Sequence, residues 1–203
     1  MQRENQPTRE NKTNKTESPA LNIELTKELR TNNTSSKEKI YTGTEIIDLY
    51  NSGRRDFSGI NASGANLENI CLERANFNNA NLEGAKLDRS PYNLSVDLNY
   101  TNFSNANLKN ANLRNAYLNN ANLNKANLKG ANLSNANLRN ADLRNTNLKG
   151  ANLSNANLEG AHLNNANLKD ADLEDAKLNH VNFTDANLEG AKILIGNIVK
   201  IIR

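Results

Sequence analysis

The sequence predicts an all-β solenoid, a chain that turns a corner every five residues and closes a square coil every twenty. Three observations predict it. A five-residue word, Ala-Asn-Leu-x-x, is written twenty times without a break between residues 96 and 193. Its odd period suits neither an α-helix nor a flat strand. The ten residues 129–138 also recur unchanged as 149–158, twenty positions on. A fixed internal period dictates architecture before any local propensity is weighed.

The period is decisive on physical grounds. An α-helix advances about 100° per residue, so five residues would carry each Leu about 140° around the axis and leave no apolar stripe. In a flat strand the side chains alternate faces, and an odd spacing would send successive Leu residues to opposite sides. A corner at every fifth residue satisfies the pattern. The central Leu or Phe and the small residue two before it then point inward, and the other three positions face water. If each word turns a right angle, four words close one coil. Composition alone, 36% hydrophobic with a mean hydropathy of −0.77, would equally suit an Asn-rich disordered segment. Placement decides against that. Each inward Leu stacks on the one twenty residues away at about 4.8 Å, and burying it contributes roughly 1.5–3 kcal/mol. The resulting column opposes the ordering entropy of a one-dimensional stack.

In chain order, residues 1–36 are polar, rich in Asn, Thr, Glu and Lys, and read as a disordered tail. Residues 37–54 change period. Thr42 with Glu45 three positions on makes a capping box, Tyr41 and Ile46 suit a hydrophobic staple, and Gly53 suits the stop. A short helix with Ile46, Ile47, Leu49 and Tyr50 on its apolar side would cover the first coil, whose open edge would otherwise invite pairing with other chains. A helix that binds a partner is the other reading.

Residues 55–193 carry the repeat. The first block has eight words centred on Phe57, Ala62, Leu67, Leu72, Phe77, Leu82, Leu87 and Tyr92, and the next centre, Leu98, comes six residues later. One extra residue therefore predicts a bulge near 91–96, beside Pro91, which has no N–H for a ladder. Eight and twenty words make about seven coils and a rod of roughly 34 Å at the strand spacing. The tail 194–203 is the most apolar segment. Through Leu194, Ile195, Ile198, Val199, Ile201 and Ile202 it could fold over the last coil as a cap or pair with its copy in a homodimer.

The tandem Ala-Asn/Asp-Leu-x-x words, from Phe57 to Ile193, resemble the pentapeptide repeat protein family. That resemblance implies a right-handed quadrilateral β-helix with the central Leu/Phe and the preceding small residue both inside. Some members of the family resemble a DNA duplex in size and negative charge and bind DNA gyrase or topoisomerase IV in its place.

The residues give little chemistry. Cys71 is the only cysteine and lies on an outward position, so it offers no internal disulfide and no Cys-based metal site. His162 and His180 are the only histidines, and two without a third ligand or a nucleophile make a weak site. A rod filled by its own Leu side chains leaves no cleft, so the expectation is no enzyme, no small-molecule substrate, no cofactor and no metal. No apolar run is long enough to span a bilayer, and the expected setting is cytoplasmic.

What distinguishes the sides of the rod is charge. Reading every twentieth residue after one central Leu gives Lys109, Lys129, Lys149 and Lys169, then Glu189. This ladder is either solvated surface or a basic stripe for an acidic partner. Nucleic acid is disfavoured, because the exposed aromatic residues of this block reduce to Tyr100 and Tyr117. From 55 to 193 there are fourteen basic and fourteen acidic residues, the acidic ones gathering late in Asp170, Asp172, Glu174, Asp175, Asp185 and Glu189. That patch is too short for a full-length DNA-like face. The sequence therefore predicts a protein-interaction scaffold whose partner it does not name, with topoisomerase-binding DNA mimicry as the alternative.

Overall fold

A computed structural model describes residues 38–88, 97–195 and 198–201. The polar tail 1–36, the bulge at 91–96 and Ile202 lie outside these residues. For Leu194, Ile195, Ile198, Val199 and Ile201 only the backbone is described.

One word shows how the chain forms its wall. In Ala126-Asn127-Leu128-Lys129-Gly130, Ala126 N–H donates to Leu123 O at 3.0 Å across the preceding corner. Asn127 N–H donates down to Ala106 O (2.9 Å), while Leu128 N–H and Gly130 N–H donate up to Asn147 O (2.8 Å) and Lys149 O (3.0 Å). The fifth donor, Lys129 N–H, has no backbone acceptor and goes to the Asn127 side-chain Oδ1 at 3.3 Å. All five main-chain donors are thus satisfied, as a stack of this kind requires. The Asn of the word is therefore more than the water-facing position that the sequence pattern suggests. It is half-buried and closes an Asx turn. Asp does the same at positions 56, 97, 142 and 172. Tyr117 cannot, and there Asn119 N–H takes Asn99 Oδ1 of the neighbouring coil instead, at 2.7 Å.

The corner itself demands a left-handed residue. The second residue after each central Leu or Phe has positive φ in every described turn, from Gly59 (67°) to Asn110 (56°) and Gly190 (72°). This is the requirement of a turn with αL at its second central position, and it explains why Asn, Asp and Gly crowd there. Lys125, Arg74, Tyr100 and His180 occupy the same conformation without the short polar side chain or missing Cβ that eases it.

Stacking these words gives four columns of inward side chains. Parallel bridges join residues twenty apart throughout the later coils, for example Asn107 to Asn127 to Asn147. Central Leu residues from 98 to 168 are fully buried, as are the Ala residues two before them. Phe57, Phe77 and Phe103 stack in one column with ring centroids 5.1 and 5.6 Å apart. Thr101 and Thr146 replace Ala and stay buried because their hydroxyls donate to Leu72 O (3.1 Å) and Leu123 O (3.0 Å).

The register corrects the expectation for the first block. Cys71 bridges Asp97, Asn76 bridges Asn102 and Asn81 bridges Asn107, all twenty-six residues apart. Six residues, and not one, are therefore inserted. Leu98 is the next described wall word after Leu87 and lies over Leu72. The pentapeptide spacing continues nearly unbroken through Tyr92, which hides the offset from a reading of local period.

Helix α1 spans Gly43–Asn51 and starts with the predicted capping box: Thr42 Oγ1 accepts from Glu45 N–H (3.2 Å) and Glu45 Oε2 accepts from Thr42 N–H (2.8 Å). Ile46 is fully buried with the core, and Tyr50 Oη donates to Glu73 O at 2.9 Å. Tyr41 N–H donates to Asn61 O at 2.7 Å, joining the approach to α1 to the first coil. At the other end, strand β1 (Asp172–Leu173) pairs in parallel with β2 (Lys192–Ile195), which pairs antiparallel with β3 (Ile198–Ile201) in the order β1-β2-β3. The apolar tail thus turns back as a hairpin on one column of the last coil.

Candidate interaction face

The predicted lysine ladder is one edge of a uniform wall. Two residues before each lysine runs an unbroken line of Asn, from Asn61 through Asn81, Asn107, Asn127, Asn147 and Asn167 to Asn187, bridged rung to rung. Each amide in the earlier part donates to the next Oδ1, as in Asn81 to Asn61 (3.2 Å), Asn107 to Asn81 (3.1 Å), Asn127 to Asn107 (3.3 Å) and Asn147 to Asn127 (3.2 Å). These bonds fix the backbone from which the lysines project. Consecutive lysines occupy adjacent rungs, since Gly130 N–H bonds Lys149 O and Gly150 N–H bonds Lys169 O, at 3.0 and 2.9 Å.

The structure adds a member that a twenty-residue count misses. With the register of twenty-six, Glu83 stands below Lys109, and the two form an ion pair at 2.8 Å. Lys169 pairs with Glu189 at 2.6 Å at the other end. Hydrogen bonds from these lysines hold the Glu83 and Glu189 carboxyls below their ordinary range, and Glu189 in turn raises the Lys169 ammonium. Lys129 and Lys149 are exposed and form no ion pair among the described residues. The signal that locates Glu83 is the six-residue offset between Leu87 and Leu98.

The other sequence-predicted residues form no metal-binding group of three among the described residues. His162 lies beside Asp142 and Asn182 in one column of bridges, and His180 occupies the left-handed corner two residues before Asn182. Among the described residues no group of three His, Cys, Asp or Glu side chains could hold a metal ion. Part of the late acidic set is architectural, because Asp172 Oδ1 accepts from Glu174 N–H (3.0 Å) and Glu189 is paired. Cys71 is an exposed free thiol beside a cavity of about 250 Å³ lined by Ile47, Tyr50, Asn51, Ile70 and Leu72. Burial there pushes the Tyr50 phenol up, and the Cys71 thiol beside it pushes in the same direction. No helix among the described residues is long and apolar enough to cross a membrane.

Compared with known families, residues 56–90, 95–124, 126–165 and 166–193 match the pentapeptide repeats, in eight copies. No curated protein is significantly similar to the chain. Among solved structures, a pentapeptide repeat protein of the Arabidopsis thaliana thylakoid lumen is 35% identical over 47% of this chain and 63% of that one, with a TM-score of 0.38. The aligned part is thus less than two thirds of that protein's length. HetL, a pentapeptide repeat protein involved in heterocyst differentiation regulation in the cyanobacterium Nostoc, is 26% identical over 80% of this chain and all of its own, with a TM-score of 0.25. QnrB1, a plasmid-mediated fluoroquinolone resistance protein, is 19% identical over 68% of this chain and 79% of its own, with a TM-score of 0.23.

Proposed function

The chain belongs to the pentapeptide repeat family, a family with a right-handed β-helix-like fold, and from that premise we propose that it is a non-enzymatic scaffold that binds a protein partner through its lysine-bearing wall. The observation that carries this reading is the column Lys109, Lys129, Lys149 and Lys169, which sets four like charges on consecutive rungs of a wall held rigid by its Asn ladder. Stacked ammonium groups repel by about 1 kcal/mol at 4 Å in water, a cost that carboxylates of a partner would offset. Affinity capture followed by mass spectrometry tests it, comparing the unmodified protein with Lys129→Glu/Lys149→Glu/Lys169→Glu. The reading predicts that proteins captured by the former are lost from the latter. An unchanged set would make the column solvated surface.

Two structural roles belong to the same proposal. Helix α1 acts as the cover of the first coil, a role supported by the complete burial of Ile46. The tail acts as a cap, and the β2–β3 pairing supports this over a homodimer built on Leu194, Ile195, Ile198, Val199, Ile201 and Ile202. Size exclusion of a chain ending at Gly196 separates the two, since a shift from dimer to monomer would reject the pure cap. A cytoplasmic setting completes the proposal, consistent with an exposed free thiol at Cys71. The acidic residues of the last coils favour a second reading, a mimic of DNA bound by gyrase or topoisomerase IV. Purified protein at micromolar concentration that neither inhibits gyrase supercoiling nor protects it from quinolone poisoning would eliminate that reading.

A further inference from the structure

Some charges on neighbouring rungs of this solenoid meet their opposites among the described residues. Arg139 pairs with Glu159 twenty residues on (3.3 Å), and Lys86 with Glu68 (3.7 Å). The lysine column is paired at its two ends and open in its middle. Its ends are closed by Glu83 and Glu189, and between them Lys129 and Lys149 are exposed without an ion pair among the described residues. Lys125, also exposed, occupies the corner that leads into the same wall. No Asp or Glu occurs anywhere from residue 98 to residue 141, so nothing within the two coils around Lys125 and Lys129 supplies the missing counter-charge.

We propose that this open segment, centred on Lys125, Lys129 and Lys149, docks a short carboxylate-rich peptide segment of a protein partner. The inference rests on the scaffold reading above and names the chemistry of the partner. Length argues for a short segment: Lys109 and Lys169 are three rungs apart, about 14 Å at the strand spacing, which four or five extended residues cover. A long uniform polyanion laid along the wall would run onto Glu83 at one end and onto Asp170 and Glu189 at the other. Chemistry argues against nucleic acid. The wall offers Asn, Lys and Gly and no aromatic platform for bases, and its cations are ammonium point charges in place of the guanidinium forks that grip phosphate bidentately.

The test titrates the full-length protein into a fluorescent hexaglutamate peptide, with hexaglutamine and a short DNA duplex as comparison probes. Saturable binding of hexaglutamate at low salt, weakening as salt shortens the Debye length, is expected, with no binding of hexaglutamine. Lys125→Glu/Lys129→Glu/Lys149→Glu should weaken binding by about tenfold or more, because three exposed attractions become three repulsions. Lys177→Glu, exposed in another column, should leave binding unchanged. Equal loss from Lys177→Glu, tighter binding of the duplex, or hexaglutamate binding that ignores the triple substitution overturns the proposal. Should hexaglutamate fail to bind while Lys129→Glu/Lys149→Glu/Lys169→Glu still abolishes partner capture, the carboxylate inference falls and the scaffold reading stands. If partner capture is also indifferent to the lysines, both fall.

Discussion

The two ends of the solenoid solve the same problem differently. At the N-terminal end the central residues Phe57, Ala62, Leu67 and Leu72 are fully buried, Ile70 is half-buried, and α1 contributes a fully buried Ile46. At the C-terminal end the equivalent inward residues Leu178, Val181, Phe183, Ala186 and Leu188 remain partly exposed. The hairpin β2–β3 extends only the column of Leu173 and Ile193. The helix brings a buried apolar side chain onto the first coil, whereas the hairpin pairs with one wall of the last. Cooperative stability should therefore be anchored at α1 and fade toward residue 193, since each coil in such a stack is held by its neighbours.

The largest expected break in this asymmetry is a large-to-small substitution at each end. Ile46→Ala should cost about 2–5 kcal/mol, as full burial leaves a cavity, whereas Leu188→Ala at the open end should fall below that range. Urea unfolding midpoints of the two variants decide it, and equal losses would mean that the C-terminal coil is as well sealed as the first. Next comes the Asn position. Asn127→Ala removes the acceptor of Lys129 N–H and two ladder bonds and should cost about 1–3 kcal/mol. Asn187→Ala, which opens one turn in the last coil, should cost less. Amide exchange at residues 129 and 189 reads out each loss locally. A smaller effect is expected from Thr42→Ala, which opens the capping box of α1 and should lower stability by about 1 kcal/mol. Circular dichroism should then show fraying confined to α1.

The smallest effect depends on pH. The Glu189 carboxyl, lowered by the Lys169 hydrogen bond, contributes stability that is present above its unfolded-state pKa and is lost as pH falls through the lowered folded value. The Lys169–Glu189 pair is exposed, so the contribution is small. Glu189→Gln should accordingly lower the melting temperature slightly at neutral pH and make no difference once the medium is acid enough to protonate the native carboxyl. A difference that persists in acid would refute the ion-pair account.

How far the sequence can be read depends on where each interaction lives. Leu128 and Ala126 declare their inward positions because the word that defines them is five residues long. Thr42, Glu45 and Gly53 announce α1 for the same reason, since capping is settled within one turn of chain. Asn127 reads as a surface residue because its partners, Lys129 N–H and the amides of Asn107 and Asn147, are seen only once the corner and the stack are formed. Glu83 escapes a sequence reading because its place under Lys109 depends on how Leu72 and Leu98 come into register across the insertion. The half-exposed state of Phe183 and Leu188 likewise has no trace in words that look like all the others.

By itself the sequence determined the square coil, its Leu and Ala columns, the helix at its start and the lysines that share one wall, because each follows from a spacing repeated along the chain. Only the tertiary structure decided the twenty-six-residue register, the Asn bonds that satisfy the fifth donor of each word, the carboxylates that close the lysine column and the unequal sealing of the two ends. The physical reason is that these are contacts between coils. Their partners lie twenty or more residues apart, and a periodic sequence makes alternative registers nearly alike until packing against a particular neighbour selects one.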